Sequence, residues 1–243
     1  HDALTFDRKF KALIFKNIGI FETQLKARYS YLMAEKCGEF SLYSRDNFLR
    51  IRNYEKSLSN YKTEVNRKLK TNYEVSKIAK SNDGKLPINV GVECMWLGTL
   101  TKLYDNTRNI EVTNEVSSSF GCSKSELSSW GKTICDVRNI CAHFDDYLTR
   151  KEIPSTPLKI RGIDFNHRNT FYIVLILIRL LDHGTAFNDW YLNYADELRR
   201  DVDYVIKEYK DAYKHLLPIL GIPEDYSELM AKAENGIIIY KNR

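Results

Sequence analysis

The sequence predicts an all-α helical bundle. Three observations carry that expectation. Glycine and proline are sparse, 11 and 5 in 243 residues, too few to punctuate many short strands. Apolar residues recur near a 3.6-residue period over long windows, with no βαβ alternation and no Gly-rich phosphate loop between them. The longest apolar run, "YIVLILI" at 172–178, is broken by Arg179. It falls far short of the roughly 20 residues a bilayer span needs, so it reads as a buried core helix. Hydrophobic residues at 43% and charged residues at 28% are the balance of a globular chain with a sizeable core.

The elements follow in order. Phe6, Phe10, Leu13, Ile14, Phe15, Ile18, Phe21, Leu25 and Leu32 predict an amphipathic helix over 6–37, stopped near Gly38. Residues 45–80 read as one or two basic amphipathic helices, and "SNDGKLP" at 81–87 as a loop. From Pro87 a single helix is expected to about Tyr104, with Val90, Val92, Met95, Trp96, Leu97, Leu100 and Leu103 as its apolar positions. A short helix is expected over 109–120. Ser123 with Glu126 forms a capping-box pattern that starts the next helix, running from about Lys124 to near His143. Two prolines mark a loop over 152–164. A buried helix over 168–183, a long amphipathic helix over 187–217 and a short helix from Pro223 follow, and "GIIIYKNR" reads as a strand or a tail. The whole chain reads as one domain, with a basic segment at about 45–85 and a core at about 87–217. Its first residue is His1 rather than Met, so a more N-terminal portion is expected to be missing.

The charge is unevenly placed. Residues 45–85 hold eleven Lys or Arg against five acids, +6 in a chain whose net charge is +5. A concentrated basic segment points to a polyanionic partner, RNA or DNA first. Arg45, Arg50, Arg52, Arg67, Lys68 and Lys70 are the expected phosphate contacts, with Tyr54, Tyr61 and Tyr73 for base stacking. A solvated helix face is the bland alternative, and the salt dependence of binding separates the two. Five cysteines with no CxxC pair imply reduced thiols in a cytoplasmic protein rather than disulfides or a zinc site. His167, His183 and His215 read as caps or surface residues. No metal and no cofactor is expected.

Within "DVRNICAHFDDYLTR" (136–150), Arg138, Asn139 and His143 stand close together late in a predicted helix. Asn139 and His143 are i, i+4 and share a face; Arg138 is about 100° round, within reach of Asn139. His titrates near neutrality and serves as general acid or base. Arg binds a phosphate oxygen bidentately and holds charge that develops there. The same residues near a helix end also serve as simple caps. A second Arg–His pair, Arg161 and His167, lies in a proline-flanked loop and lacks that context.

"RNICAH" resembles the R-N-x-x-A-H signature of the HEPN superfamily of RNases, and its surroundings resemble the Abi-like abortive-infection family. "GVECMWLGTLTKLYDN" (91–106) is similar to that family's E-x-x-x-[FW]-G-x-L-x-x-x-Y segment through Glu93, Leu97, Gly98, Leu100 and Tyr104. "FGCSKSELSSWGKTICDVRNICAH" (120–143) resembles its helix leading to the active site, and "ILGIPEDY" (219–226) its usual ending. "DRKFKALIFKNIGIFETQLKARY" (7–29) is compatible with its opening helix. The chain departs where the family often reads "AHHxRLWNR". Phe144 replaces a second His, the Trp is absent, and Arg150 remains as a further RNA contact.

The resemblance implies a HEPN-like helical bundle with additional helices. It also implies metal-independent RNA cleavage by attack of a 2′-OH on the adjacent phosphorus, leaving a 2′,3′-cyclic phosphate and a 5′-OH. On that expectation His143 moves protons, Arg138 steadies the phosphorane charge and Asn139 orients the site. Glu93 either positions Arg138 or His143 or is a buried ion-pair member. A homodimer is implied, and no membrane association. One rival reading is RNA binding without robust cleavage, with a structured antitoxin RNA as partner. Another is a protein sensor that docks a partner through the acidic, Tyr-rich helix at 187–217.

Overall fold

The computed structural model describes residues 2–143, 152–184, 193–213, 217–218 and 221–235. The described residues are all-α: ten α-helices and two short 3-10 turns, with no β-strand and only two isolated bridges. No described helix is long and apolar enough to cross a membrane. The chain divides into two compact units. The first holds residues 1–21, 119–122 and 129–243, and the second holds 22–118 and 123–128. α1 (Asp2–Cys37) and α7 (Lys124–Ala142) each contribute to both.

In the first unit the core is α8 (Tyr172–Gly184), the expected apolar helix. Tyr172 to Ile178, Leu180 and Leu181 are fully buried there, as is Phe171 just before the helix. α8 packs against α9 (Tyr194–Tyr213) and α10 (Tyr226–Asn235). Phe6 and Phe10 of α1 stack at 5.7 Å, and Phe10 lies 6.5 Å from Phe171. α9 follows the amphipathic reading: Ala195, Leu198, Val202 and Ile206 are buried. Its acids meet lysines of α1, as Lys9 with Glu208 at 2.7 Å and Lys16 with Glu197 at 2.6 Å. "GIIIYKNR", His215 and the start of the expected 187–217 helix lie outside the described residues.

In the second unit α2 (Ile51–Thr71) packs on α3 (Tyr73–Ser81), α4 (Ile88–Cys94) and α5 (Leu97–Asn106). α4 comes close to α2 at Gly91, where a Cβ would lie 2.6 Å from the Tyr61 hydroxyl oxygen; any side chain there would have to displace the buried Tyr61 ring. The single helix expected over 87–104 is two helices. Met95 and Trp96 are extended between them, and Trp96 is 56% exposed rather than an apolar core position. The break has a tertiary cause. Buried Glu64 of α2 accepts the Trp96 N–H at 3.1 Å and the Thr99 hydroxyl at 2.9 Å, which caps a new helix start that no local residue announces.

α6 (Ile110–Ser119) ends at Gly121, whose φ of 62° is the left-handed geometry glycine adopts freely. The capping box then forms as expected: the Ser123 N–H donates to Glu126 Oε2 at 2.7 Å, and the Glu126 N–H donates to Ser123 Oγ at 3.3 Å.

Candidate functional site

α7 is held in the first unit by one buried stripe. Trp130, Ile134 and Val137, spaced three and four apart, are fully buried. The Trp130 indole N–H donates to the Leu158 carbonyl at 2.8 Å, and Ser129 Oγ accepts the Leu158 N–H at 2.9 Å. The proline-flanked loop therefore pins the helix against rotation. Arg138 sits at the edge of the stripe and is half-buried, while Asn139 and His143 lie on the solvent side. The helix ends at the motif, where the His143 N–H donates to the Asn139 carbonyl at 3.0 Å.

α1 supplies the floor under that turn. Asp7, Lys11 and Phe15 are spaced by four and so share a face. Asp7 and Lys11 form a buried pair at 2.9 Å. Both act electrostatically on Cys141, whose thiol burial pushes up to about 12. Cys141 is therefore a neutral, buried spacer and no nucleophile. Phe15, 43% exposed, lies beneath Arg138, with the guanidinium carbon 5.8 Å from its ring centroid. Arg138 Nη1 in turn donates to Asn139 Oδ1 at 3.5 Å. One turn of α7 thus presents a guanidinium held between a ring and an amide, with an exposed imidazole on the Asn139 face. Phe15 is a functional candidate that the sequence reading placed in the core. Its offset of about 100° from Ile14 on the helix wheel was the available signal.

Glu93 belongs to the second unit. Its side chain is 67% exposed and stands 4.0 Å from Lys26, so the buried ion pair considered for it is an exposed one. Arg150 and Phe144 lie outside the described residues. The basic segment presents Arg52, Lys56, Lys62, Arg67 and Lys70 as exposed residues of α2, with Glu64 turned inward. Lys68 is half-buried. Arg45 is exposed with Asp46 at 3.9 Å, and Arg50 stands 3.7 Å from Asp105.

Two of the three stacking tyrosines expected there are corrected. Tyr54 is 5% and Tyr61 1% exposed. Tyr54 stacks on Phe48 at 4.7 Å and donates to the Leu42 carbonyl, and Tyr61 packs edge-on against Tyr43 at 6.1 Å. With those surroundings neither ring face is open to a base. Tyr73 is exposed. Among the described residues no three His, Cys, Asp or Glu side chains gather as a metal site.

The family model for Abi-like proteins matches residues 1–147. That span covers α1 to α7 and includes Arg138, Asn139 and His143. The chain belongs to the Abi-like protein family. Membership links it to abortive infection. The match stops before the 219–226 segment, so the likeness of "ILGIPEDY" to an Abi-like ending lies beyond it. No curated protein and no solved structure matches the chain.

Proposed function

We propose that this Abi-like protein is a HEPN-type endoribonuclease that cleaves RNA without a metal ion. The observation that carries the reading is the single turn of α7 in which Arg138 lies over Phe15, touches Asn139 and shares that end of the helix with exposed His143. In the proposed step the 2′-oxygen attacks the adjacent phosphorus and its proton passes to His143. The bond from phosphorus to the 5′-oxygen breaks, that oxygen is protonated, and a 2′,3′-cyclic phosphate and a 5′-OH remain. The Arg138 guanidinium offers parallel N–H donors to the phosphorane oxygens, and Asn139 fixes its orientation. Acid–base help of this kind is worth about 10²–10⁴-fold, which is modest for one His. A homodimer that pairs two motifs supplies the second proton-transfer group, from the His143 of a second copy. The exposed bases of α2 carry the strand by phosphate contacts. His143→Ala and Arg138→Ala each abolish RNA cleavage and cellular toxicity while circular dichroism and molar mass stay as in wild type. Cleavage that survives both substitutions would sink the assignment.

A second reading is RNA binding without robust cleavage, under control of a structured RNA. Phe144, at the place of the usual second His, favours it. Discrete uncut RNA that co-purifies with the chain selects this reading, whereas RNA-free protein that cuts generic RNA selects the first.

A further inference from the structure

We infer that Trp96 and Arg67 form a stacking platform for one unpaired base of single-stranded RNA at the end of the basic face of α2. The inference rests on the RNA reading above and adds a binding site to it. Position 96 is the N-cap of α5, where Ser, Thr, Asp or Asn ordinarily satisfies the first N–H groups. Trp96 makes no side-chain cap hydrogen bond. Glu64 of α2 instead anchors the helix start, through the Trp96 N–H and the Thr99 hydroxyl, with no contribution from the indole. Trp is also the residue whose burial stabilises a fold most, yet this indole is 56% exposed. Neither capping nor packing accounts for it.

Its neighbour does. Arg67, three residues beyond Glu64 on α2, holds its guanidinium carbon 5.3 Å from the indole centroid. Lys70 is exposed and Lys68 half-exposed in the same last turn, and no acid occurs between Glu64 and Glu74. The acid before Trp96, Glu93, faces Lys26 at 4.0 Å. A half-exposed indole with Arg67 over one face and a run of cations beside it complements a nucleotide: the base stacks on the exposed part of the ring and the adjoining phosphates meet Arg67 and Lys70. A base inside a duplex has both faces covered by its neighbours, so the platform selects unpaired strands. An acidic peptide would match the cations but leave the indole without a planar partner.

The test uses the full chain and a labelled 2′-O-methyl RNA of about 12 nucleotides, which 2′-OH attack cannot cleave, alone and annealed to its complement. Binding is read by fluorescence anisotropy at fixed salt. Trp96→Leu is expected to weaken single-strand binding about 5- to 150-fold, the range for loss of one stacked base. Trp96→Phe keeps most of the affinity, and duplex binding is unchanged in both. Using Leu and Phe together separates stacking from apolar bulk, so an effect on folding does not masquerade as one on binding. If Trp96→Leu binds the single strand as wild type does, while Arg52→Ala with Lys56→Ala weakens it, the platform is overturned and the RNA track stands. If wild type binds neither form, the RNA reading falls and the platform with it. If Trp96→Leu changes only the molar mass by light scattering, Trp96 is a protein contact and the platform is wrong.

Discussion

Arg138 is worth most when its planar guanidinium points one way. Phe15 covers one face of the group and Asn139 takes one N–H, so the remaining donors are aligned before any phosphate arrives. A cation–π contact at a part-exposed site contributes about 0.5–1 kcal/mol. Phe15→Leu keeps the bulk and removes the π-face; it is expected to slow cleavage about 2- to 5-fold while lowering the melting temperature by no more than about 4 °C, and Phe15→Tyr keeps the wild-type rate. Initial rates on one labelled RNA check this. A Leu variant as fast as wild type would show that Phe15 does not orient Arg138. Asn139 and His143 were legible from spacing alone, because i, i+4 residues share a helix face in any context. Phe15 and the burial of Tyr54 and Tyr61 were not. Which side of a helix is covered there depends on Arg138, Phe48 and Tyr43, all distant or unaligned in sequence.

At the scale of elements, the boundaries with local signals were readable and those with remote ones were not. The Ser123–Glu126 box and Gly121 mark the start of α7 and the end of α6 within a few residues of sequence. The α4–α5 break depends on Glu64, some thirty residues away, and the sequence between Pro87 and Tyr104 contains no stop of its own. That cap gives the break a pH signature. Burial holds the Glu64 carboxyl above the usual carboxylate range, against the opposing hydrogen bonds of Thr99 and Trp96 and the charges of Arg67 and Lys26. A raised acid binds its proton more tightly folded than unfolded. Its stabilising contribution is therefore full below the unfolded pKa and lost as pH rises through the folded one. Glu64→Gln abolishes this titration, so its melting temperature should gain on wild type as pH rises above about 4, the range of an unfolded Glu. A difference that is flat or falls with pH would show that Glu64 is not a buried acid with a raised pKa. α2 makes a separate prediction through its outer face. Arg52→Ala, Lys56→Ala and Lys70→Ala together should reduce the slope of log affinity against log salt by about 2 for single-stranded RNA, and an unchanged slope would assign these cations to solvent.

Over the whole molecule, the Abi-like match and the candidate site coincide in residues 1–147, while α8 to α10 lie beyond it. Within the first unit those later helices have a visible task. Phe171, just before α8, lies beside Phe10 of α1, and α9 offers Glu197, Asp201 and Glu208 to Lys16 and Lys9. That engagement favours α9 as an outer helix of the fold over a docking helix for another protein. The exposed pairs themselves add little and weaken with salt. The proposed dimer is a whole-molecule claim with its own check. Light scattering should give twice the chain mass of 28.5 kDa, and mixing excess inactive His143→Ala protein into wild type should depress activity by forming mixed dimers. Monomeric protein with full activity would contradict it.

On the proposed function, Arg138 and His143 carry out metal-independent transesterification. The most direct measurement is the chemistry of the RNA ends made by purified protein in excess EDTA. Wild type should leave 2′,3′-cyclic phosphate and 5′-OH ends, and neither Arg138→Ala nor His143→Ala should make new ends. Ends bearing 3′-OH and 5′-phosphate, loss of cutting in EDTA, or undiminished cutting by either variant would contradict it.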